Sequence, residues 1–236
     1  MELNLSMAFV ALLLLGIAAL TMHAGRLYQR GMLLKDINYV GREVTSQLQR
    51  DLAASDPSQL MQRTTMHNGA VHSGRICLGN ISYLYNTAVG VSDNNRTRLI
   101  VRGDGSSGAP RIALARVSDP ERRWCDTSLG PLPSHIPEAN FATGGASGDT
   151  ATELISRDEL ALVSIHQFGL TIRHDPRTAG DAPTKYAIVN LWLGTSKISA
   201  FDAAGTTCRP PADNQSDFNH CFVTEYSTII RVGGQQ

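Results

Sequence analysis

Residues 3–22 read LNLSMAFVALLLLGIAALTM, a run of 20 residues without a charge. An apolar stretch of about 20 residues is long enough to cross the hydrocarbon core of a bilayer as a helix. The run stands out from a polar remainder, since mean hydropathy over the whole chain is only −0.13. Buried core helices of soluble proteins are shorter and one-sided. Secretory signals carry a basic segment first and a small-x-small cleavage site after. Here only Met1 and the acidic Glu2 precede the run. The expectation is a membrane-resident segment.

The helical pattern continues beyond it. Ala24, Leu27, Leu34, Ile37, Val40, Val44, Leu48 and Leu52 recur mostly at three- and four-residue steps. Arg26, Arg30, Lys35, Asp36, Arg42, Glu43, Arg50 and Asp51 lie between them and read as a solvated back. Asp56-Pro57 disfavours helical backbone at Asp56, so the helix should stop near residues 53–55. One helix over residues 3–54 would be roughly 78 Å long at 1.5 Å per residue. A plain anchor needs no amphipathic continuation. A helix that leaves a membrane and then packs on a sheet does.

Residues 58–73 read as polar and irregular. Runs of β-branched and aromatic residues separated by turn residues then predict strands over 76–86, 98–102, 111–117, 160–173, 186–194 and 222–232. A break is expected at 167–169, and 158–195 reads as one long hairpin. Segments 126–152 and 200–220 read as loops. Successive strands without intervening helices imply antiparallel pairing. The fold class is α+β: a long N-terminal α-helix, apolar in its first half and amphipathic in its second, packed on an antiparallel β-sheet. The parts are residues 1–25 as the membrane half-helix, 26–55 as the packing half-helix and 56–236 as the sheet domain.

Twenty-one Lys and Arg balance 21 Asp and Glu, so the basic excess of a dedicated nucleic-acid binder is missing. Gly103-Asp104-Gly105-Ser106-Ser107-Gly108 matches GxGxxG, but another strand follows it, with no helix N-terminus to receive a pyrophosphate. It reads as a hairpin turn. His23, His67, His72, His135, His166, His174 and His220 lack metal-ligand spacing and read as surface residues, with His67 and His72 in a loop. Asp213, Asp217 and Asn219 lack the spacing and glycine of an EF-hand, so a plain polar loop is the better reading. Arg122-Arg123-Trp124 reads as a surface turn. Asn80, Asn95 and Asn214 open N-x-Ser/Thr tripeptides, on which nothing is built. No catalytic residue, metal or cofactor is assigned, and the chain is not expected to be an enzyme.

Cys77, Cys125, Cys208 and Cys221 show no CxxC spacing. In an exported chain Cys208 with Cys221 and Cys77 with Cys125 form the natural disulfide pairing, and four free buried thiols are the alternative.

These residues together resemble type IV pilin-like proteins, in particular the larger PilW-type minor pilins. Glu2 stands ahead of LNLSMAFVALLLLGIAAL, where pilins carry a glutamate before their apolar run. The amphipathic INYVGREVTSQLQRDLAAS is similar to the end of that family's helix, and IVNLWLGTS to a late strand. The Cys208 and Cys221 loop before FVTEYSTIIRVG looks like the pilin C-terminal disulfide region. The resemblance implies a structural subunit acting in filament assembly, initiation or tip adhesion. Its partners would be other pilins through the N-terminal helix, the pilus assembly machinery, a prepilin peptidase and membrane lipid. It would wait in the inner membrane as a single-pass protein, sheet domain outside, and then move to a cell-surface pilus. Glu2 would pair with the N-terminal amine of a neighbouring subunit. Small residues (Ala8, Ala11, Gly16, Ala18, Ala19, Ala24, Gly25) would permit close helix approach. The alternatives are a pseudopilin of a secretion or DNA-uptake system, the one reading that brings in nucleic acid, and an anchored extracytoplasmic binding domain that never polymerises.

Pilins begin with a basic leader ending in Gly, which is expected before Glu2. Arg26, Arg30 and Lys35 follow the apolar run and by the positive-inside rule would hold the sheet domain in the cytoplasm. A basic leader reverses that balance. Sequencing the gene upstream of Met1 should find codons for Lys or Arg, then Gly, then a short apolar stretch; an in-frame stop directly upstream would remove this support for the resemblance.

Overall fold

Helix α1 runs unbroken over Glu2–Ala54 in a computed structural model. The structure describes residues 2–93, 96–106, 108–141, 150–155, 163–174, 185–202, 207–209 and 221–233, without the side chains of residues 2–6, 8 and 129. At 1.5 Å per residue α1 is about 80 Å long. It ends where the sequence requires. The backbone N–H and hydroxyl of Ser55 both donate to the Leu52 carbonyl, and Asp56 caps the short turn Pro57–Gln59 by accepting from the Ser58 N–H at 2.8 Å.

Ten strands follow among the described residues: β1 (Leu60–His67), β2 (Ala70–Leu78), β3 (Ile81–Asn86), β4 (Val101–Arg102), β5 (Leu114–Ser118), β6 (His135–Ile136), β7 (Ala151–Ile155), β8 (Ser164–His174), β9 (Lys185–Gly194) and β10 (Val223–Val232). A short helix α2 (Ala88–Ser92) lies over β2. The strands form two antiparallel sheets, in the orders β1-β2-β3-β5-β7 and β10-β9-β8, instead of one. A small parallel pair, β4 with β6, departs from the antiparallel rule.

Several boundaries differ from those expected. The single strand over 76–86 is two, because Gly79 at φ +91 turns the chain between β2 and β3. The segment 58–73 carries β1 and the start of β2, joined by Asn68 and Gly69 at φ 50 and 77. Strand β6 and the first two residues of β7 fall where a loop was expected over 126–152. Strand β8 runs through 167–169 without a break, its irregularity being a register shift between Ile165 and Gln167. It pairs with β9 as the expected hairpin does, and the turn between them lies outside the described residues.

One core joins helix and sheets. Ile37, Val40, Val44, Leu48 and Leu52 are buried among Tyr83 and Leu114 of the first sheet and Ala187, Val189, Leu191, Ile230 and Val232 of the second. Each fully buried aliphatic side chain contributes about 2 kcal/mol of transfer free energy. The stripe starts later than its sequence pattern, since Leu27 and Leu34 are exposed. Helix α1 lies chiefly along β10. The ring of Tyr226 seats on Gly41, where a Cβ would overlap it, and its hydroxyl donates to Asn38 Oδ1 at 2.9 Å. A second cluster, with Leu84, Ile112, Val117, Trp124 and Ile136, covers the opposite face of the five-stranded sheet.

Asp51 is not on a solvated back, as its neighbours are. It is buried, and it accepts from the Tyr83 hydroxyl at 2.5 Å and from Arg116 Nε and Nη2 at 2.7 and 3.2 Å. Burial raises its pKa, but the hydrogen bonds from Arg116 and Tyr83 and the guanidinium charge outweigh that, and the net shift is downward. A carboxylate depressed in the folded state adds stability above its unfolded pKa and loses it as pH falls through the folded one. Asp51→Asn should therefore cost about 3 kcal/mol in urea unfolding at pH 7, the size expected for breaking a buried pair. The gap to the wild type should narrow below about pH 4. A pH-independent gap would mean that the charge of Asp51 is not what holds the helix.

Candidate functional site

Among the described residues, the side chains of the amino-terminal half of α1 are all exposed. Phe9, Val10, Leu12, Leu14, Leu15, Leu20 and Met22 are each at least 55% exposed. The helix carries an 18-residue window of mean hydropathy 1.7, none of it buried, and is a candidate membrane span. Thr21 is the one hydroxyl among residues 7–22, and it donates inside the helix to the Ile17 and Ala18 carbonyls at 3.1 and 2.9 Å. That is the arrangement a hydrocarbon environment demands of a polar side chain. A Cβ added at Gly16, Gly25 or Gly31 would meet nothing within 4 Å, so these positions are flat, open faces on the helix.

The span has a defined lower edge. Arg26, Tyr28 and Arg30 follow it, with Tyr28 70% exposed and the Arg30 guanidinium 4.8 Å from the centre of the Phe222 ring. Tyrosine and basic residues beside an apolar span are interfacial anchors. Sequence reading passed over Tyr28, although an aromatic between two arginines just after an apolar run is the signal for one. Glu2 lies in the first turn of α1, and its side chain is outside the described residues.

The cysteines come together in two pairs. The Cα atoms of Cys77 and Cys125 are 6.3 Å apart and those of Cys208 and Cys221 5.8 Å, both within disulfide range. Cys77 sits in β2, and Cys125 follows the buried Trp124, so this pair fastens the segment after β5 to the outer face of the five-stranded sheet. Trp124 is thus core and not part of a surface turn. Cys221 packs with Ala200 and Phe201 beside the start of β10.

No family model matches this chain, and no curated protein and no solved structure matches it.

The remaining candidates resolve into structural roles. His72 is buried under α2, 3.4 Å from Asp93, and burial lowers its pKa against the opposing charge of Asp93. His166 is half-buried, its Nε2 3.0 Å from the Thr195 carbonyl and its ring 4.1 Å from that of Phe201. Neither is the surface histidine expected. The glycine-rich segment has Gly103 and Gly105 at φ 100 and 75, and Asp104 accepts from the Ser106 N–H at 2.9 Å. No helix follows it. Asp213, Asp217 and Asn219 lie outside the described residues, as do Asn95 and Asn214.

Closing loops with sequence separations of 48 and 13 stabilises by about 4 and 3 kcal/mol in the chain-entropy model. Thiol labelling of the folded, exported protein should find no reactive thiol, and peptide mapping should recover the two pairs above. Four labelled thiols, or a peptide joining Cys77 to Cys208, would refute the pairing.

Proposed function

We propose that this chain is a structural, pilin-like subunit that assembles through the bare half of α1. The observation that carries the proposal is the division of one unbroken helix. Its first half exposes a long run of apolar side chains from Met7 to Met22, interrupted among the described residues only by Thr21, and its second half is built into the core of two antiparallel sheets. A membrane holds such a half-helix until neighbouring helices of the same kind replace the lipid. Exchange of lipid for helix costs little, because both are apolar, and open glycine faces at Gly16 and Gly25 admit close approach. The sheet domain then faces solvent. Two cysteine pairs at disulfide range suit an oxidising compartment, which supports a sheet domain outside the cytoplasmic membrane. A sheet domain of this size supports the role of a minor or tip subunit, with filament initiation or adhesion as its work.

Glu2 has a specific task in this reading. A carboxylate at the edge of an apolar span is costly to desolvate unless paired. The amine of a processed neighbouring subunit is the partner, and their pairing sets the axial register of the incoming chain. In cells producing the full-length protein, Glu2→Ala should leave membrane insertion intact and abolish recovery in sheared filaments. Equal recovery of the variant would overturn the role of Glu2. Retention of the wild type in the membrane, with none in filaments, would favour an anchored domain that does not polymerise.

A further inference from the structure

The outer face of the five-stranded sheet, away from α1, carries a concentration of positive charge that the fold neutralises only in part. Arg63 on β1 stands directly opposite Arg75 on β2. Like charges opposed across an antiparallel pair are destabilising. Together with Arg98 they line a pocket of about 330 Å³ whose lining residues include no aspartate or glutamate. Ser73, Thr65 and Ser134 add hydroxyls to its wall, and Leu99, Ile100 and Leu132 an apolar side.

The three guanidinium groups differ in how they are held. Arg75 donates to two backbone carbonyls, those of Trp124 and Pro133, at 3.1 and 2.5 Å, and lies over the Trp124 ring at 5.6 Å. Both partners are neutral, so these bonds fix its charge in place, and only the nearby Asp119 carboxylate partly opposes it. Burial and the neighbouring charge of Arg63 push it down to about 10, which leaves it charged at neutral pH. Arg63 Nε is buried and has no hydrogen-bond partner among the described residues. Arg98 faces Asp93 at 3.7 Å, and Asp93 also serves His72. Two further acids lie near: Asp119, which accepts from the Ser82 hydroxyl and the Trp124 N–H, and Asp126, which accepts from the Ser128 N–H; they partly offset the charges of Arg75 and Arg63 respectively, but neither lines the pocket.

We propose that this pocket is a binding site for a tetrahedral oxyanion, a phosphate or sulfate group, held by Arg63, Arg75 and Arg98. Arginine presents a planar fork of donors that matches such oxygens in pairs. The volume sits at the lower end of ligand pockets and suits one anionic group with a small substituent. An anion there completes the hydrogen bonding of Arg63 Nε and relieves the repulsion between the opposed pair. Arg75, locked by the loop that the Cys77 and Cys125 pair fastens down, forms a preset floor for the site. The site is independent of how α1 is anchored, and its loss would leave the assembly reading untouched.

The test is titration calorimetry of inorganic phosphate into the full chain in a non-ionic detergent, at ionic strength held constant with sodium chloride. Phosphate should bind saturably at one site per chain, and sulfate should compete with it. Arg63→Gln, which leaves the loop contacts of Arg75 in place, should weaken binding at least tenfold, and Arg98→Gln should weaken it in the same direction. The wild type should also gain about 3 °C in Tm at saturating phosphate, a gain that Arg63→Gln does not show. Absence of saturable phosphate binding would overturn the proposal. Equal affinity in wild type and both variants would do so too. Acetate binding as tightly as phosphate would refute the tetrahedral preference, and an oligonucleotide that binds where free phosphate does not would show a polyanion surface instead.

Discussion

The fold depends on the burial of one helical stripe between two sheets. Neither sheet has a hydrophobic partner of its own large enough to cover its inner face. The five-stranded sheet offers Tyr83 and Leu114, and the three-stranded sheet Val189, Leu191 and Ile230, to the same five side chains of α1. The helix therefore acts as the shared third layer. Removing any of these aliphatic contacts leaves a cavity that both sheets line, and such truncations cost about 2–5 kcal/mol each. The contact between Gly41 and Tyr226 shows how closely the layers approach, since there is no room for even a methyl group between helix and ring.

Polar chemistry then fixes what apolar packing leaves free. A stripe of aliphatic residues tolerates small slips along its axis. The Asp51 carboxylate does not, because it must meet Tyr83 on β3 and Arg116 on β5 together. Tyr83 and Arg116 are themselves cross-strand partners, so the sheet presents a two-donor receptor to the last turns of the helix. At the other end of the packed half, Tyr226 reaches Asn38 and the Ile37 carbonyl. The helix is pinned at two points about 13 residues apart, roughly 20 Å along its axis.

The long helix was legible in the sequence because its signals are local: an uncharged run, a three- and four-residue stripe, and a proline that stops it. Strands β9 and β10 were legible for a similar reason, as compact β-branched runs. Strand β1 was not, because Gln62, Arg63, Thr64 and Thr65 look like a loop. Its place is fixed by pairing with β2, by the Asn68-Gly69 turn, and by the Gln62 amide, which donates to the Phe168 carbonyl at 2.7 Å. The roles of Asp51, His72 and Arg75 were invisible for one common reason. Each is a polar residue whose surroundings come from chain segments far away, and periodicity carries no information about them. The cysteine pairs were legible as candidates because each brackets a loop, and the fold supplies the distance.

An unbroken helix also has a phase. No hinge, proline or bend separates the bare half of α1 from the half embedded in the core. The azimuth at which the sheet domain faces outward is therefore set by the number of residues between the apolar span and Ile37. One residue inserted near Gly31 would turn the whole domain by about 100° about the helix axis and raise it by 1.5 Å, with the core contacts from Ile37 onward preserved and the contact of Arg30 with Phe222 lost. Seven residues inserted together would bring the angle back to within about 20°. The spacing between span and core is thus a geometric quantity in its own right. It determines whether the arginine-lined pocket looks toward a neighbouring molecule or away from it.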